Sequence, residues 1–193
     1  IAVWMAWETR DWMANTQLSA LSKLRPYVIL IEGGLAAILV ALAYFAYKGA
    51  YIGWLALPLA AWAGILLLRR NMPDEKRLML FFIGTALLIT IVVEFRTVRG
   101  DIGRMNTIFK FYMQSWVLFA VSAAAALGWI LNAIPQWTPR WRNLFQFGLA
   151  TLLVGAGLFT ITATSDKISD RMTPSIPHTL DSMDYMQYSS YSE

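Results

Sequence analysis

The chain reads as an all-α, polytopic transmembrane helix bundle with about five spanning helices. Three observations predict this. Hydrophobic residues make up 58% of the 193 residues against 15% charged, and mean hydropathy is +0.49, well to the apolar side of a soluble domain. Five apolar runs approach the roughly 20 residues that a helix needs to cross about 30 Å of hydrocarbon. None of them alternates with a period of two, and lipid offers a bare backbone amide no partner, so they are helices and not barrel strands.

Residues 1–26 precede the first run. Trp4, Trp7 and Trp12 stand there beside Glu8, Arg10 and Asp11, a mixture suited to a segment lying at the membrane interface, with a soluble helix as the alternative. The first span, 27–47, follows Pro26, whose missing amide proton costs nothing in a first turn. It contains Glu32, expected to pair with a basic residue or to snorkel. The second, 51–68, holds Pro58, which removes a backbone donor and should bend it. Small residues four apart, at Gly33, Ala37 and Ala41 and again at Ala56, Ala60 and Gly64, predict helix-contact stripes. The third span, 78–95, ends at Glu94; the fourth, 108–133, carries charge only at Lys110; the fifth, 144–164, carries none. The helical bundle is thus 27–164. From 165 to 193 the chain turns polar, with Pro174 and Pro177, and is expected to be an extended surface tail. An opening Ile1 with no signal-peptide pattern reads as part of a longer protein.

Net charge is +4 and the isoelectric point is near 9.5. In a soluble chain that suggests nucleic acid, but here the basic residues fall in short connections between apolar runs, so topology accounts for them and no nucleic-acid partner is expected. Dense clusters such as RRNMPDEKR, 69–77, place that side in the cytoplasm. The connection from Arg96 to Lys110 and the tail then face the extracytoplasmic side. Absence of cysteine excludes disulfides, thiolate metal sites, iron–sulfur clusters and thiol nucleophiles. The one histidine, His178, lies in the tail, which disfavours histidine-ligated pigments. No zinc motif, phosphate-binding glycine loop or serine nucleophile elbow occurs, and no metal site is assigned.

The stretch EFRTVRGDIGRMNTIFKFYMQSW, 94–116, places seven polar or charged groups at a bilayer edge. Ionisable residues there need a partner, a headgroup or water. Arg96, Arg99, Arg104 and Lys110 outnumber Glu94 and Asp101, leaving positive charge for an anion such as phosphate. Local pairing with those two acids is the simpler alternative. Asn106, Lys110 and Gln114 follow at four-residue steps on one helical face and could line a wet cavity; outward snorkelling of Lys110 is the competing reading. Glu94 and Asp101 are the acids available as a base.

The string RMNTIFKFYMQSW, 104–116, the Ala-rich helix after it, and HTLDSMDYM, 178–186, resemble the archaeal and Chloroflexi YYY membrane proteins, a domain of unknown function, over roughly 90–186. Those large proteins are similar to C-type glycosyltransferases, which use polyprenyl-phosphate-linked sugars at the outer membrane face. The resemblance implies a pocket at Arg104, Asn106, Thr107, Lys110 and Tyr112, with Thr179 and Asp181 from the tail motif, where Ser182 replaces the family's Gly. C-type enzymes carry their catalytic carboxylate on a first outer loop, which this chain lacks ahead of residue 27; a divalent metal in the full-length protein stays open. Two functions follow. One is a membrane-embedded glycosyltransferase, or its lipid-donor-binding part, with membrane lipids and a polyprenyl-phosphate sugar as partners. The other is a non-catalytic subunit that packs on other membrane subunits or on the rest of the same protein.

Overall fold

A computed structural model describes residues 1–16, 25–96 and 104–171. Six helices follow in order: α1 (Ala2–Ala14), α2 (Val28–Lys48), α3 (Gly53–Leu67), α4 (Asp74–Phe95), α5 (Arg104–Ala133) and α6 (Pro139–Arg171), with a 3-10 turn at Ile134–Gln136 between the last two. No strand occurs among the described residues. The protein is an all-α polytopic bundle.

Four segments are long and apolar enough to cross a bilayer: Arg25–Lys48, Asp74–Phe95, Arg104–Gln136 and Pro139–Asp170. The fifth expected span is shorter. α3 has 15 residues, about 22 Å at 1.5 Å per residue, against roughly 30 Å of hydrocarbon. Its neighbours explain the shortfall. Gly49 closes α2 in the left-handed region, at φ 69°, and Asn71 takes φ 60° shortly after α3, so apolar residues near both ends of the run belong to turns. α4 begins earlier than hydropathy suggests, because Pro73 precedes it and Asp74 and Glu75 occupy its first turn, where carboxylates complement the helix dipole.

The chain divides into two units, Ile1–Ala133 and the part from Ile134 onward. In the first, α4 packs against both α3 and α5. Leu80, Ile83, Ala86 and Leu87 repeat at three- and four-residue steps and form its buried face. Small residues on the partners, Ala56 and Ala63 on α3 and Ser115, Ser122 and Ala126 on α5, let the backbones approach. Ser122 Oγ donates to the Leu118 carbonyl at 2.8 Å and also approaches the Met79 carbonyl of α4 at 3.5 Å; Ser115 Oγ donates to Ala86 O at 3.3 Å.

The two expected small-residue stripes behave differently. Ala56 is buried, but a Cβ added at Gly33 or Gly64 would meet nothing within 4 Å. α2 buries only Phe45, which stacks on Phe95 at 5.3 Å and lies directly against Gly53. Glu32 is exposed on α2.

Residues 2–14 form a helix that runs beside α3. Ile1, Ala2 and Met5 share an apolar cavity of about 320 Å³ with Ile52 and Leu55 near the start of α3, while Glu8 meets Arg69 just beyond its end. Trp4 is fully buried, 5.0 Å from Trp129. Burial of Trp4 and Met5 holds this helix against the bundle.

In the second unit Pro139 occupies the first position of α6, and Trp137 meets Phe145 edge-on at 5.5 Å. The helix continues to Arg171, past the expected boundary at 164, since nothing before Pro174 breaks it.

Candidate functional site

The antiparallel pairing of α4 and α5 brings the end of one beside the start of the other. Glu94 sits in the last turn of α4, at the negative pole of its own helix, and Arg104 opens α5, at a positive pole. Each charge is badly placed on its own helix and well placed beside the other's terminus. They meet: Arg104 Nη2 donates to Glu94 Oε2 at 2.6 Å. Tyr112, whose side chain tilts toward the start of α5, lies near the same carboxylate. Glu94 is 20% exposed and Arg104 53%.

Arg96 leaves the helix with extended backbone, φ −131° and ψ 136°. It forms no ion pair with an acid among the described residues. Beneath it, a cleft of about 290 Å³ separates α4 from α5. Leu88, Ile89, Val92, Val93 and Phe111 make its walls apolar, and Thr85, Arg96 and the buried Thr107 are its polar residues. An apolar trough with a guanidinium and a hydroxyl beside it suits an amphiphile whose head is anionic.

Glu94 and Arg104 are therefore brought together beside Tyr112, and Arg96 and Thr107 share the adjoining cleft. Asn106, Lys110 and Gln114 occupy a different sector of α5: Asn106 is half-buried, Lys110 and Gln114 are exposed, and the row turned to α4 is Thr107, Ser115 and Ser122. Arg99, Asp101, Thr179 and Asp181, with His178 and Asp184, lie outside the described residues. No group of three or more potential metal ligands occurs among the described residues.

A second charged cluster went unread in the sequence. Glu8, 5% exposed, accepts from Lys76 Nζ at 2.5 Å and from Arg69 Nη1 at 3.5 Å, and Arg69 also reaches Asp11 at 3.5 Å. Trp129 lies under Lys76 and Trp12 under Arg69, each 5.8 Å from the cation, and Trp62 Nε1 donates to Thr9 Oγ1 at 2.9 Å. The clue was an acid in a tryptophan-rich helix facing the basic run 69–77. Charges balance here, so the cluster fastens α1 to the bundle.

Residues 1–119 match a family described as uncharacterized membrane protein (DUF2298). The chain belongs to that family. The DUF2298 match takes in the charged residues of both clusters and the whole cleft. It includes residues 104–116, runs back to residue 1, well ahead of the 90–186 stretch over which the resemblance was read, and stops before the 178–186 motif. The description of DUF2298 assigns no activity. No curated protein and no solved structure matches the chain.

Proposed function

We propose that this membrane protein is glycosyltransferase-like, or is the lipid-donor-binding part of such an enzyme, taking a polyprenyl-phosphate-linked sugar at the extracytoplasmic face. The cleft carries this reading: it is apolar along α4 and α5 and has Arg96 and Thr107 for the phosphate. A single hydrocarbon chain enters the trough while its charged head stays at the level of Arg96. Asn106, Lys110 and Gln114 serve the sugar and phosphate from the neighbouring surface of α5, Arg99 is a further phosphate-binding candidate, and Glu94 and Asp101 are the candidate carboxylates. The choice of sugar transfer over other lipid-phosphate chemistry rests on the sequence resemblance.

Binding of a polyprenyl-phosphate sugar, and transfer from it, measured on Arg96→Gln and Val92→Trp, tests the reading. Both variants are expected to lose binding, the first by removing the cation and the second by filling the trough. Wild-type affinity in both would overturn it.

One observation favours the alternative of a non-catalytic subunit. The Gly33 face of α2 is bare although small-residue faces pack helices together. Binding of the sugar lipid decides between the two.

A further inference from the structure

Arg104 holds Glu94 and stands one turn before Thr107, which lines the cleft together with Arg96 and Val93, the residue before Glu94. Thus one guanidinium lines a trough suited to an anionic amphiphile, and an ion pair adjoins the residues of its wall. We propose that the Glu94–Arg104 ion pair is a displaceable latch: an incoming lipid phosphate draws Arg104 away from Glu94, so that donor binding and release of this carboxylate are one event. The inference rests on the lipid-phosphate reading of the cleft and adds a division of labour within it.

Three observations support the exchange. Arg104 is 53% exposed, so the pair is held in a wet setting where ion pairs are weak and easily broken. A phosphate monoester or diester offers the guanidinium a bidentate partner, as the carboxylate does, and brings Arg96 into the same contact. Glu94 does not become stranded when Arg104 leaves, because the positive pole of α5 and the Tyr112 side chain stay beside it. With the donor bound, Glu94 has lost its cation and is free to accept a hydrogen bond from an acceptor hydroxyl. Without donor the carboxylate is occupied. Arg96 binds in either state, and Arg104 tunes how tightly the head is held.

The test is binding of farnesyl phosphate to the full chain in phosphatidylcholine nanodiscs, with farnesol as the uncharged control. Wild type is compared with Glu94→Gln, Arg104→Gln, the double variant and Arg96→Gln. Freeing Arg104 by Glu94→Gln should tighten binding roughly two- to fivefold, the scale of one exposed ion pair, and the double variant should lose that gain. Unchanged or weaker binding in Glu94→Gln overturns the latch; the cleft reading then still stands if Arg96→Gln weakens binding. Absence of phosphate-dependent binding in wild type overturns both. Should Glu94→Gln fail to fold, Glu94→Asp, which shortens the reach to Arg104, carries the same expectation of tighter binding and the same overturning result.

Discussion

Lys76 of α4 reaches the buried Glu8 of α1 while its ammonium lies over the Trp129 ring of α5, so one side chain ties three helices together. Removing either charge leaves the other in a poorly hydrated place. Lys76→Met should therefore destabilise by roughly 1–3 kcal/mol, with Arg69 limiting the loss. Glu8→Gln combined with Lys76→Met should recover part of it. Thermal unfolding of the four proteins in one detergent gives the coupling, and additive losses would show that the contact contributes nothing of its own.

A second expectation concerns the seam between α4 and α5. Ser122 is fully buried, and its hydroxyl is satisfied by the carbonyl of Leu118 on its own helix. Ser122→Ala should change stability by less than about 0.5 kcal/mol. Ser122→Leu should cost about 1–3 kcal/mol, because the added volume forces the helices apart. Equal stability of the two variants would show that the seam is loosely packed.

Gly53 touches the Phe45 ring, and a Cβ there would overlap it. Gly53→Ala must push that ring off Phe95, loosening the buried anchor of α2. We expect a loss of roughly 1–3 kcal/mol and earlier proteolysis in the 49–52 turn than in wild type. An unchanged cleavage rate would mean that α2 is held elsewhere.

For the cleft, Arg96→Gln should weaken lipid-phosphate binding roughly tenfold, the worth of one charge-assisted contact. The melting temperature should stay the same, since Arg96 is exposed and pairs with no described acid. Its effect should shrink in high salt. A large drop in melting temperature instead would make Arg96 a structural residue.

Helix type and number were legible because a bilayer forces long apolar runs into helices, whatever the packing. The length of α3 was not, because turn residues such as Tyr51 and Ile52 are as apolar as a span interior. At the site, four-residue spacing showed which α5 residues share a sector: Asn106 with Lys110 and Gln114. It could not say which sector meets α4. Thr107 is one residue from Asn106, a rotation of about 100° on the helix, and that single step separates the exposed row from the buried one. The excess of cations was visible, but the pairing of Arg104 with Glu94 spans ten positions and depends on how two helix ends are apposed.

The difference in length between α3 and its neighbour has its own outcome for the surrounding lipid. The apolar part of α4, residues 78–95, extends about 27 Å and α3 about 22 Å, so a leaflet that covers that part of α4 must dip where it meets α3. Such a dimple lowers the energy needed for water and headgroups to approach the protein on that side, and it favours residence in thinner membranes. Reconstitution in shorter-chain lipids should accordingly raise the melting temperature relative to longer-chain ones.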